Sequence, residues 1–167
     1  GKRQIVNMVL NTEDVEIIQN PNGTAPKYIA TGSKDNEHLQ LLAIKKNEFG
    51  LQVQKLNGYF HEARTSNDVE AMKKLQEEYL VKNAKYIRDL KSSIWNLENS
   101  ISGILAISYF ENPENQFGFL DSLASKYETQ LPNSSYAKNL KNQVESMRKL
   151  AIGSPAPEIN LPDTDGN

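Results

Sequence analysis

The sequence contains no cysteine. That excludes a disulfide framework, a zinc-thiolate centre and thiol chemistry within these residues, and it leaves the compartment open. Histidine is nearly as scarce. His38 and His61 stand near opposite ends of one helical stretch, far beyond the i,i+4 spacing at which two imidazoles share a metal. No metal or cofactor is expected, and no residue takes a catalytic, cofactor-binding or metal-binding role. Long apolar runs are missing too: the longest, Ile101 to Phe110, is interrupted by Ser102, Gly103 and Ser108 and falls short of the roughly 18 residues of a membrane span. Neither sign of charge dominates, with 19 Lys and Arg against 21 Asp and Glu. The basic residues are scattered, as in Lys45-Lys46 and Lys73-Lys74, so no face is built for nucleic acid or anionic lipid. A glycine-rich phosphate loop is absent, since Gly32-Ser33 alone is too short to be one. The adjacent carboxylates Glu13-Asp14 and Glu77-Glu78 have nothing beside them to raise a pKa, and neighbours on a helix point apart, so both pairs read as solvated charges.

What remains is a chain of 167 residues, 38% hydrophobic, enough for one ordinary domain or a domain with a fragment of another around a modest core. Residues 1–33 read as β structure. Ile5 to Leu10, Val15 to Ile18 and Tyr28 to Thr31 are β-prone runs, with a turn signal at Pro21-Asn22-Gly23. Three such strands make a thin sheet that needs cover, which suggests the remnant of a larger one.

Ser33 then offers a hydroxyl to the first turn of a helix, with Asp35 and Glu37 against its positive end. Leu39, Leu42, Phe49, Val53, Leu56, Phe60 and Ala63 follow at spacings of three and four if Lys46 fills one seam position. Gly50 and Gly58 weaken the helix by about 1 kcal/mol each, and a bend near Asn57-Gly58 is the alternative to one continuous helix. Thr65 and Asp68 fit a capping box, as do Asn67 and Glu70 one register on. A second helix carries Val69, Met72, Leu75, Tyr79, Tyr86, Leu90, Ile94 and Leu97 on its apolar stripe, with Glu70–Lys74 and Glu78–Lys82 as outward pairs. So short a connection makes the two helices an antiparallel hairpin, an arm of roughly 37 Å for about 25 residues. Tyr79, Tyr86 and Trp95 are amphipathic aromatics of the kind found at interfaces, but core packing is favoured, since the tyrosines lie on the seam that the first helix should cover. Ile101 to Phe110 is expected to be the most buried helix. Phe117 to Leu131 and a stretch capped by Asn133 or Ser134 and running to Leu150 complete five helices. The fold class is mainly α: a helical bundle with a long antiparallel hairpin, preceded by a small antiparallel β segment.

The last stretch cannot continue a helix. Pro155 and Pro157 fix their own φ and push Ser154 and Ala156 toward extended conformations; Ile159 and Leu161 then alternate with polar residues before the hairpin dipeptide Asp165-Gly166. Ile152 to Asn167, with its Gly-Ser-Pro-Ala-Pro opening, resembles the start of the redoxin branch of the thioredoxin fold: TlpA- and ResA-like thiol-disulfide oxidoreductases, and also peroxiredoxins. Tyr28 to Asn36 is similar, more weakly, to the closing strand and Gly-Ser junction of the β-rich domain that precedes such enzymes.

The resemblance implies three parts, a partial β-rich domain over 1–33, a helical domain over 34–151 and the beginning of a thioredoxin-like domain over 152–167. It also implies a periplasmic or cell-envelope location and a downstream Cys-x-x-Cys to which no residue here corresponds. The expected function is that of a non-catalytic accessory region, inactive alone, of a thiol-disulfide oxidoreductase. The alternatives are a helical protein-binding or dimerisation module without redox role, or the N-terminal part of a peroxiredoxin-like enzyme. The partners expected are the chain's own downstream domain, a second copy or an envelope protein.

Overall fold

The structure, a computed structural model, describes residues 8–10, 14–20 and 28–149. Expectations for Ile5 to Asn7, for the Pro21-Asn22-Gly23 turn and for 150–167 lie outside the described residues. Two compact units make up the chain, Gly1–Glu111 and Asn112–Asn167.

In the first unit, β1 (Glu16–Gln19) pairs antiparallel with β2 (Tyr28–Thr31), Ile17 opposite Ala30 and Ile18 opposite Ile29. Three strands were expected, and the described part of the first, Met8 to Leu10, is not one. A side chain replaces the ladder there. The buried amide of Asn36 accepts from the Val9 N–H at 2.7 Å and donates to the Val9 carbonyl at 2.8 Å, so both backbone groups are satisfied without a neighbouring strand.

Gly32 turns the chain from β2 into α1 (Lys34–Thr65) at φ +92°, where a Cβ would stand 2.2 Å from the Asp14 carbonyl oxygen. Ser33 occupies the N-cap position with extended backbone, but its buried hydroxyl makes no capping bond. The helix continues unbroken through Gly50 and Gly58, both of which face open space. Lys46 is exposed, its ammonium 4.7 Å above the Tyr109 ring.

The turn after α1 corrects the capping expectation. Thr65 is the last helical residue and its hydroxyl donates to the His61 carbonyl, whereas Asp68 is the N-cap of α2 (Val69–Trp95), accepting from the Ala71 N–H at 2.9 Å. Asn67 makes the reversal at φ +56°. The pairs Glu70–Lys74 and Glu78–Lys82 form at 3.0 and 3.5 Å.

Burial along this hairpin is uneven. Leu39 and Leu42 of α1 and Leu90 and Ile94 of α2 are buried at the base, whereas near the turn only Leu56 and Ala63 are, and the stripe positions Phe60 and Val69 are exposed. The segment that covers the base is not the expected helix over 101–110. It is a single turn, α3 (Ser102–Leu105), followed by a 3-10 turn (Ala106–Tyr109). Ser102, Gly103 and Ala106 are buried, and their small side chains let the backbone approach α1.

The second unit begins with a 3-10 turn (Pro113–Gln116) and continues as α4 (Phe117–Gln130) and α5 (Ser135–Lys149), close to the expected spans. Leu120, Leu123 and Tyr127 of α4 and Ala137, Leu140 and Val144 of α5 are buried. Lys141 pairs with Glu128 and Arg148 with Asp121, a late residue of one helix with an early residue of the other, as an antiparallel pair requires.

Candidate functional site

The residues that suggest chemistry meet where α1 starts. The Ser100 hydroxyl donates to the Asp35 carboxylate; the Ser102 hydroxyl donates to the Asp35 carbonyl at 2.5 Å and lies 3.3 Å from its carboxylate; His38 Nδ1 is 3.4 Å from Ser100 Oγ. Serine, histidine and aspartate together raise the question of acyl transfer. The order is wrong for it. A nucleophile is activated when imidazole takes the hydroxyl proton and a carboxylate orients the imidazole, whereas here the hydroxyl sits in the middle and gives its hydrogen to the carboxylate. Ser100 and Ser102 are also buried, so a substrate carbonyl has no approach. The cluster is a latch: it fastens the 100–102 turn to the first turn of α1. Sequence reasoning passed over Asp35 as a latch because its partners are more than 60 residues away and no local spacing joins them.

A second arrangement lies midway along the hairpin. A groove of about 220 Å³ runs between α1 and α2, with Lys45, Gln52, Lys82 and Lys85 among its walls and Phe49 and Tyr86 below. Those two rings are stacked, 4.2 Å between centroids and 3° from parallel. The Tyr86 hydroxyl donates to the Tyr109 carbonyl at 3.1 Å, and burial, with a smaller contribution from Tyr109, pushes its pKa up to about 12. Burial also raises the Tyr109 phenol. Tyr79 is raised by burial first and then by its hydrogen bond to the Glu111 carboxylate. Asp89 is lowered chiefly by the Lys85 ammonium, 2.6 Å away. None of these shifts brings a group toward neutrality, where a general acid or base works. The groove offers a charged rim over an aromatic floor, which suits contact better than reaction.

The remaining expected positions stay apart. His38 and His61 are separated by about 34 Å along α1, and His61 is exposed. No three His, Asp or Glu side chains among the described residues are grouped to hold a metal ion. Asp14 and Glu77 are exposed, Glu78 is paired with Lys82, and Glu13 lies outside the described residues. Tyr79 and Tyr86 are half-buried on the seam as expected, but Trp95 is not core: it is 44% exposed, one residue and so about 100° around the helix from the fully buried Ile94. No helix among the described residues is long and apolar enough to cross a membrane. Compared with known proteins, the chain matches no family profile, no curated protein and no solved structure.

Proposed function

We propose that the chain is a non-catalytic accessory region of a cell-envelope thiol-disulfide oxidoreductase, whose helices space or orient a thioredoxin-fold domain. One observation carries this reading: the sequence string from Ile152 to Asn167, in which Gly-Ser-Pro-Ala-Pro is followed by Ile159 and Leu161 alternating with polar residues and by the dipeptide Asp165-Gly166. The cluster at Asp35 supports an accessory role, since its serine hydroxyls are engaged by the Asp35 carboxylate and carbonyl.

In the oxidoreductase so envisaged, one thiolate of a downstream Cys-x-x-Cys attacks a substrate disulfide, expelling one substrate thiolate and leaving a mixed disulfide. The second thiolate then resolves it, so the enzyme pair is oxidised as the substrate is reduced. The helices of this chain contribute no atom to that exchange. The test is an insulin-disulfide reduction assay on the parent gene product beside this chain: activity in the first and none in the second is expected. A parent without Cys-x-x-Cys within about 100–150 residues downstream overturns the reading, and a single reactive cysteine there, with peroxide as its substrate, replaces it with a peroxiredoxin.

A further inference from the structure

Residues 8–10 belong to neither strand nor helix, yet Val9 is 5% exposed while Leu10 beside it is 76% exposed. One side chain anchors the segment. Both polar groups of the Val9 backbone go to the Asn36 amide, which accepts from the N–H at 2.7 Å and donates to the carbonyl at 2.8 Å. In an antiparallel sheet, a residue of a hydrogen-bonded pair gives its N–H and its C=O to one residue of the neighbouring strand, because extended backbone turns the two groups to the same side. Asn36 meets that pattern with a single primary amide, its oxygen for the N–H and its NH2 for the carbonyl. A side chain on the first turn of α1 thus reads Val9 as a strand edge.

Two consequences separate this contact from the core around it. Breaking it costs no bond of the β1–β2 ladder and none within α1, since Asn36 uses only its side chain. The recognition is also general: the amide bonds groups that every residue but proline carries, and of the side chains over 8–10 only that of Val9 is buried. We propose that Asn36 and the position Val9 fills form a binding site for an extended peptide segment, occupied in cis by 8–10, and that this segment leaves and rejoins as a strap while the helices stay closed.

The resident segment defines what fits. An incoming peptide presents one residue whose N–H and C=O are free and on one side, with a valine-sized aliphatic side chain for the buried position; the residue after it stands in solvent, as Leu10 does, and is unrestricted. Unfolded chains and unpaired strand edges carry such groups. Affinity for a free peptide is low, because one anchor and two hydrogen bonds must offset the ordering of the segment, and the strap in cis competes at high effective concentration. This goes beyond the accessory role proposed above and stands or fails without it.

Native-state amide exchange on the whole chain reads the strap: the Val9 amide is expected to exchange at least ~10-fold faster than those of Leu39 and Leu42, through an opening insensitive to low urea. Val9→Asp places a charge at the buried position and releases the strap, and the helical circular dichroism of the whole chain should persist. The capped peptide of residues 6–12 is then titrated into the Val9→Asp protein and followed by the Asn36 side-chain amide resonances. Saturable binding in the millimolar range is expected, weakened at least ~10-fold when the peptide's residue-9 nitrogen is methylated and has no hydrogen to donate. A Val9 amide as protected as those of Leu39 and Leu42, loss of the helical signal in Val9→Asp, no binding by that protein, or equal affinity for the methylated peptide overturns the proposal.

Discussion

Replacing Asn36 should cost more than any other single change in the first turn of α1. Its amide is 2% exposed and satisfies both polar groups of Val9, itself buried, at 2.7 and 2.8 Å. Asn36→Leu keeps the volume and strands a donor and an acceptor away from water. At about 1–3 kcal/mol for each unsatisfied group, the loss is roughly 2–6 kcal/mol, a large part of the roughly 5–15 kcal/mol that holds a domain folded. Asn36→Asp separates the two bonds. Its carboxylate still accepts from the Val9 N–H but turns an oxygen toward the Val9 carbonyl, where the Asn36 amide now donates.

Only the protonated acid can donate to that carbonyl, so the folded-state pKa of the introduced carboxyl rises above its unfolded value near 3.9. The sign follows. The variant's stability relative to wild type is greatest below about pH 4 and declines as pH rises through the higher folded pKa. Urea denaturation followed by circular dichroism at pH 7 and near pH 4 measures both variants against wild type. An Asn36→Leu protein within about 0.5 kcal/mol of wild type, or an Asn36→Asp deficit that does not shrink on acidification, would refute the reasoning.

Gly32→Ala should destabilise the first unit by more than about 2 kcal/mol, since positive φ and a 2.2 Å approach to the Asp14 carbonyl both oppose a Cβ. A thermal melt shows it, and an unchanged midpoint argues against this turn. Gly50→Ala and Gly58→Ala should each stabilise by up to about 1 kcal/mol, because both sit within α1 facing open space. Urea midpoints that do not rise would mean that α1 bends there. Tyr86 has a folded pKa of about 12 against an ordinary 10, so its contribution is complete below pH 10 and is lost between about pH 10 and 12. The slope is at most ~1.4 kcal/mol per pH unit, less in practice because the phenol is only half-buried. Tyr86→Phe should lose about 1 kcal/mol at pH 7 with the Tyr109 bond and melt with a shallower alkaline decline; equal alkaline slopes in the two proteins would exclude Tyr86 as the source.

The hairpin was legible because it is written in local spacing: the stripe residues recur every three or four positions, and Asn67-Asp68 carries a turn and a cap that need no distant partner. Only the register of that cap was misread, as Thr65 and Asp68 both have cap chemistry and spacing cannot decide between them. Ile101 to Phe110 failed for the opposite reason. Its apolar content indicated burial, but its first residues are anchored by Asp35, more than 60 residues away, through Ser100 and Ser102, which no local spacing signals, and after Leu105 it continues as a 3-10 turn. The bond of Asn36 to Val9 is likewise invisible in sequence, because an asparagine in a first helical turn ordinarily serves its own helix. Trp95 was misplaced by a single residue's rotation, a small step along the chain and a large one around the axis.

The uneven burial of the hairpin also sets the order in which it comes apart. A turn of helix pinned by Leu90 and Ile94 cannot open without exposing the core, whereas the last turns before Asn67 release little more than Leu56 and Ala63. Amide exchange should therefore grade smoothly, fastest beside Asn67 and slowest near Ile94, rather than falling into one protected block. Uniform protection of α2 would contradict this. With such a gradient the hairpin unzips from its tip while its base stays closed, so a ligand that bound the tip would slow exchange there and leave the base unchanged.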